Sequence, residues 1–138
     1  MFGKILCVVD SLGGARVSLA HLEEFKKAGT QEVALLGLIT TQGCAWTGRD
    51  LEQCRADGFE KEKAAIQPIL EGIERDDVRA KVRIEVGVSA HTILKVADEE
   101  KVSLIVMGIG TTNVKGLLLG RAVEEVVRHA RVPVLVMR

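Results

Sequence analysis

Short unbroken apolar runs, each followed by a longer amphipathic stretch, are what most constrains how this chain can fold. Ile5-Leu6-Cys7-Val8-Val9, Val33 to Ile39 and Leu104-Ile105-Val106-Met107 are short and lack polar alternation. Strands of that kind are buried on both faces, which requires helices above and below a parallel sheet. Two more strands complete the set. Between Lys81 and Val86, the apolar Val82, Ile84 and Val86 alternate with charged residues, so that strand reads as half-exposed. Val132 to Met137 carries Pro133 near its start. Proline cannot donate to a ladder, so this last strand belongs at an edge or terminus.

The intervening stretches read as helices. One runs from about Ala15 to Lys27 and ends at Gly29, a residue suited to the left-handed C′ position. A long charged helix is expected from about Asp50 to Arg75, with a kink or break at Pro68. Ser89 has the chemistry of an N-cap for a helix through about Glu99, with Ile93, Leu94, Val96 and Ala97 on its packed face. The last helix is expected from about Arg121 to His129. The pattern is βαβαβαβαβ, and right-handed crossovers leave few ways to wind it. The expected fold is α/β: one domain over residues 1–138, a five-stranded parallel sheet with helices on both faces, in the flavodoxin-like order 3-2-1-4-5. Ligands bind such sheets beyond the strand carboxyl ends, at the point where strand order reverses. Here that point lies between strands 1 and 4, which end near Asp10 and Gly108.

Composition excludes several functions. The chain has 138 residues, enough for one cored domain, and 47% hydrophobic with 28% charged residues excludes a disordered chain. Lys plus Arg equals Asp plus Glu at 19 each, which argues against a nucleic-acid partner. No apolar run reaches the roughly 18–20 residues of a membrane span, and Met1-Phe2-Gly3-Lys4 does not open a signal peptide. Three cysteines at irregular spacing suit a reducing cytoplasm. Without Cys-x2-Cys, zinc is not expected, and His21, His91 and His129 have no sequence-local partner for metal or nucleophilic chemistry. Cys44 reads as an inert loop thiol in preference to a redox-sensitive one, and Trp46 as a packing residue in preference to a pocket cover. Gly110 to Lys115 does not supply a P-loop, and no base stands beside a nucleophile, so catalysis beyond slow nucleotide hydrolysis is not expected.

The glycines after strand 4 carry the functional signal. Gly108 and Gly110 permit close backbone approach to a ligand, and Gly120 is read as opening the last helix, whose free amides and dipole suit phosphate. A tight turn without ligand explains the same glycines equally well. With these residues in view, the whole chain resembles the universal stress protein family. The resemblance is carried by Ile5 to Ser11, Gly87 to Leu94, Leu104 to Gly108, and Leu117 to Gly120 running on to His129-Ala130-Arg131-Val132-Pro133-Val134-Leu135-Val136.

The resemblance implies an adenine nucleotide alpha hydrolase-like fold. It also implies either of two behaviours. One branch of the family binds ATP or related nucleotides through G-x2-G-x9-G-[S/T], and the other lacks the pattern and does not. This chain has Gly108-Ile109-Gly110, one residue short in the first spacing, then nine residues to Gly120, then Arg121 in place of the hydroxyl. The implied nucleotide-binding set is Val8, Asp10, Ile39, Met107, Gly108, Gly110, Gly120, Arg121 and Ala122, for ATP, ADP or AMP, with Mg²⁺ as a possible companion. Asp10 either accepts hydrogen bonds from adenosine or caps the first helix with Ser11. Val8 and Ile39 either line an adenine pocket or are plain core. Arg121 either clamps phosphate, pairs with Glu124 or Glu125, or blocks the pocket. The alternative is an interaction module with a closed pocket. In both cases the resemblance implies a cytoplasmic homodimer joined through Val132–Met137.

Overall fold

A computed structural model describes residues 2–9, 21–39, 48, 50–87, 89–108 and 114–137, without the side chains at 108 and 114–120. Among these residues five strands alternate with four helices: β1 (Lys4–Val9), α1 (Leu22–Lys27), β2 (Glu32–Ile39), α2 (Leu51–Arg75), β3 (Arg79–Val86), α3 (Ala90–Glu100), β4 (Leu104–Gly108), α4 (Val114–His129) and β5 (Val134–Met137). Every pairing is parallel and the order is β3-β2-β1-β4-β5, as the sequence pattern leads one to expect. No described helix is long and apolar enough to cross a membrane.

The period of two along each strand divides the core into two layers. Leu6, Val8, Leu36, Leu38, Ile105 and Met107 face α3 and α4, where Ile93, Val96, Ala122, Val123 and Val126 meet them. Ile5, Cys7, Val9, Leu35, Leu104 and Val106 face the other way, toward Leu22 and Phe25 of α1 and Ile66 and Ile73 of α2. From Ile5 to Val9, β1 is at most 2% exposed, so the central strand has protein on both sides.

Local chemistry sets the helix ends. Gly29 has φ +98°, and the amides of Gly29 and Thr30 donate to the carbonyls of Lys26 and Phe25, both at 3.0 Å. This is the Schellman arrangement that stops α1 where the glycine was expected to stop it. Of the helix expected from Ala15, only α1 falls within the described residues. Ser89 caps α3, its Oγ accepting the Thr92 amide at 3.3 Å.

Two helices differ from expectation. α2 continues through Pro68, where a kink or break was expected. Pro68 and Ala64, the residue whose carbonyl loses its donor, are both exposed, so water can satisfy that carbonyl. Ile66 and Ile73 meanwhile hold the flanking turns on the sheet. α4 begins at Val114, seven residues before the expected start at Arg121. The strong helix formers Leu117, Leu118 and Leu119 outweigh the weak propensity of Gly116 and Gly120.

α2 comes close to the carboxyl end of β2 at Gly58. A Cβ there would lie 2.7 Å from Cγ2 of Ile39, too near for real atoms. Ile39 is β-branched and stiff, so it yields little.

At the amino ends of the strands lies an ion cluster. The Glu100 carboxylate is 5% exposed and meets Lys81 Nζ at 3.0 Å, Lys4 Nζ at 3.1 Å and Arg83 Nη1 at 3.3 Å. Burial pushes its carboxyl up, but hydrogen bonds from Lys81, Lys4 and Arg83 outweigh it and hold the group at about 2. Arg83 also donates to Glu99 at 2.7 Å and to Glu85 at 2.5 Å, and with Glu100 these hold its guanidinium above the ordinary range. The cluster joins β1, β3 and α3, and Lys4 extends it to Glu32 at 3.5 Å.

The two sheet edges differ in chemistry. β3 presents Arg79, Lys81, Arg83 and Glu85, charges that discourage strand addition. β5 leaves Leu135 39% and Val136 37% exposed, and Val127 of α4 is 55% exposed.

Two outcomes follow from these contacts. Because the folded-state pKa of Glu100 is depressed, its contribution to stability is present above the ordinary carboxylate range. It is lost as pH falls toward about 2. Chemical denaturation at pH 7 should show Glu100→Gln less stable by about 2 kcal/mol, its cations being partly solvated. The difference from wild type should shrink as pH falls from 5 to 2. A Gly58→Val chain should lose about 1–2 kcal/mol in the same assay, overpacking against Ile39 exceeding the propensity gain.

Candidate functional site at the carboxyl edge of the sheet

The pairing of the central strands is uneven along their length. β1 stays paired with β2 as far as Val9↔Gly37, and β4 with β5 as far as Gly108↔Met137. The β1–β4 register runs only from Ile5↔Leu104 to Cys7↔Val106, two residues short of the end of either strand. At their carboxyl ends β1 and β4 therefore each follow their outer neighbour. This is the place where strand order reverses, the point at which parallel sheets of this kind bind ligands. Val8 and Val9 stand on one side of this point and Met107 and Gly108 on the other.

The residues singled out in the sequence fall into three groups here. Val8 and Met107 are the residues just past the last β1–β4 pair. Both point into the layer under α3 and α4, as does Ala122, and they are 1%, 0% and 5% exposed. Ile39, the last residue of β2, is 4% exposed and meets α2 at Gly58 on the opposite face. The structure thus brings Val8, Met107 and Ala122 together and sets Ile39 across the sheet from them. Asp10 and Gly110 lie outside the described residues, as do Cys44 and Trp46.

The expectation that Gly120 opens the last helix is corrected. It is the seventh residue of α4, past the four amides that a helix leaves free, so its N–H belongs to the helical ladder. The free donors and the positive dipole end are those of the first turn from Val114. Arg121 lies about 10 Å further along the axis at 1.5 Å per residue.

Arg121 is exposed, and among the described residues it has no carboxylate partner. Glu125, one of the two partners weighed for it, pairs instead with Arg128 at 3.8 Å and His129 at 3.4 Å. Those residues follow Glu125 by three and four positions, the spacing at which helical side chains meet. Among the described residues no group of three or more His, Cys, Asp or Glu side chains is placed to hold a metal.

Sequence reasoning missed two features. The Glu100 cluster draws on three elements far apart in the chain, and no local spacing announces it. Cys54, on the first turn of α2, is disulfide-bonded, and Cys7 is buried in β1.

Comparison with known proteins agrees with this architecture. The universal stress protein family model matches residues 1–138. Universal stress protein MJ0577 of Methanocaldococcus jannaschii is 32% identical, in an alignment covering 100% of this chain and 96% of that protein. Its solved structure superposes with a TM-score of 0.84, covering 100% of this chain and 97% of that one. A universal stress protein in complex with cAMP has a TM-score of 0.65 at 17% identity, over 98% of this chain and 95% of that one. A universal stress protein family protein from Arabidopsis thaliana with AMP bound has a TM-score of 0.62, also at 17% identity, over 97% of this chain and 90% of that one. The last two likenesses show the fold alone. With the family model spanning the whole chain and a full-length relative at 32% identity, this chain belongs to the universal stress protein family.

Proposed function

We propose that this chain binds an adenine nucleotide, ATP, ADP or AMP, in the crevice between the carboxyl ends of β1 and β4, and acts as a regulatory stress-response protein. The observation that carries the reading is the early end of the β1–β4 register at the switch point. Two proteins of the same fold, one in complex with cAMP and one with AMP bound, support an adenine nucleotide as the ligand.

In this reading Asp10 accepts hydrogen bonds from the adenosine. Gly108 and Gly110 let the backbone approach the phosphates, and first-turn amides of α4 add donors. Val8, Met107 and Ala122 form the floor beneath the ligand on one face of the sheet, with Ile39 at the end of β2 on the other. Arg121, without a carboxylate partner among the described residues, supplies a bidentate cation for phosphate in place of the family hydroxyl. Mg²⁺ would arrive with the nucleotide, held by its phosphates. The setting is cytoplasmic. A second copy of the chain pairs along β5, because Leu135 and Val136 leave that edge apolar while β3 is charged.

One observation favours a second reading, a dimeric interaction module with a closed pocket. Val8, Ile39, Met107 and Ala122 are all 5% exposed or less, so their side chains are fully used in packing.

Thermal unfolding of nucleotide-free protein separates the two. A ligand at about 100 times its Kd adds roughly 2.7 kcal/mol, a rise of several degrees in Tm. Such a rise with Mg-ATP, ADP or AMP and not with GTP supports binding. No shift at millimolar ligand supports the closed module. Arg121→Ala should weaken binding of ATP about tenfold or more while leaving the Tm without ligand unchanged. Light scattering tests the β5 pairing: Leu135→Lys should convert a dimer to monomers with the fold intact by circular dichroism.

A further inference from the structure

Among the described residues, a cavity of about 110 Å³ lies at the amino end of β4, where the last turns of α3 face the segment between α4 and β5. Leu94, Ala97, Val102, Ile105 and Val132 line it with hydrocarbon. Ala97, Val102 and Ile105 are buried, and Leu94 and Val132 are half-buried. The other lining residues, Asp98, Lys101 and Arg131, are exposed and set charge around the mouth. An apolar floor with a few convergent polar groups is the form that small-molecule sites take. The volume equals about four waters at about 30 Å³ each, but an aliphatic lining offers water no hydrogen-bond partners. An apolar group the size of a branched butyl chain suits the same space.

The mouth has its own chemistry. Asp98 and Lys101 are three residues apart, the spacing at which helical charges pair, yet among the described residues neither they nor Arg131 form an ion pair. One carboxylate and two cations are therefore uncommitted. Lys101 ends α3 in the left-handed region, at φ 54° and ψ 47°, where glycine is favoured. Asp77, the other described non-glycine residue with positive φ, is of a type that tolerates it. At Lys101 the chain keeps a cationic side chain at a backbone cost. The same turn folds the chain back, the Val102 amide donating to the Ala97 carbonyl at 3.3 Å, so that Val102 completes the floor.

We infer that this cavity binds a short branched aliphatic α-amino acid, with its side chain on the hydrocarbon floor, its ammonium at Asp98 and its carboxylate at Arg131 and Lys101. A zwitterion uses all three charges at the mouth. A plain carboxylate leaves Asp98 facing an anion, and a plain amine leaves two cations facing a third. Arg131 can hold a carboxylate in bidentate fashion, and Lys101 adds a point charge. The cavity lies at the opposite end of β4 from Met107 and Gly108, so this binding is separate from the nucleotide reading.

Titration of the isotope-labelled full chain with L-leucine, followed by amide chemical shifts, tests it. Saturable shifts are expected at residues 94–102, 105 and 131–132, with those of Val8 and Met107 unmoved. On the same unmutated protein, isocaproate lacks only the ammonium of leucine and isopentylamine lacks only the carboxylate. Each should bind at least about tenfold more weakly, and glycine, without a side chain, should give no saturable shift. Arg131→Gln and Asp98→Asn, both at exposed positions, should each weaken L-leucine binding about tenfold or more, with the fold intact by circular dichroism. The inference is overturned if millimolar L-leucine gives no saturable shift, or if its shifts gather away from these residues. It also fails if isocaproate, isopentylamine or glycine binds as tightly as L-leucine, or if either variant keeps wild-type affinity. The analogue series uses unmutated protein, so it stands even if a variant misfolds.

Discussion

Burial of β1 on both faces is the constraint from which the rest of this molecule follows. A strand at most 2% exposed along five residues must have a packed layer on each side. In a parallel sheet those layers are the crossover helices themselves. Right-handed crossovers then send the chain to one side of β1 for β2 and β3, and to the other for β4 and β5. The reversal falls between β1 and β4, and there the ladder ends two residues early. The early end of that ladder is thus a consequence of having a central strand that both halves of the chain must share.

The two ends of the sheet solve different problems. At the amino ends, Glu100 and its three cations lock β1, β3 and α3 together. Beside them, the Ser103 amide and hydroxyl donate to the Lys4 carbonyl at 2.8 and 3.0 Å, and the Thr30 hydroxyl to that of Phe2 at 2.6 Å. Charges and backbone groups there satisfy one another. At the carboxyl ends the β1–β4 pairing stops early, and Arg121 has no carboxylate partner among the described residues.

Much of the fold was legible in the sequence because its determinants are local. Strand identities follow from unbroken apolar runs, the half-exposed edge from the alternation of Val82 and Ile84 with charges, and two helix ends from Gly29 and Ser89. What was not legible depends on partners distant in the chain. Pro68 reads as a breaker until one sees that it and Ala64 face solvent while Ile66 and Ile73 hold the helix down. The start of α4 was misplaced because Gly120 was taken as a boundary, although the leucines before it favour helix. For the site, the sequence indicated the edge and its residues by resemblance. It did not foresee that Ile39 lies across the sheet from Val8 and Met107, because a strand's facing depends on register. The pairing of Glu125 with Arg128 and His129 instead of Arg121 likewise required coordinates.

The central claim is that the gap between β1 and β4 is where this protein meets an adenine nucleotide. Amide chemical-shift mapping of isotope-labelled, nucleotide-free protein titrated with Mg-ATP tests it most directly. The account predicts saturable shifts concentrated at residues 8–10, 107–110 and the first turn of α4, with the amino-end ion cluster around Glu100 unmoved. Shifts absent at millimolar nucleotide, or gathered instead at the β3 edge or the amino ends of the strands, would contradict it.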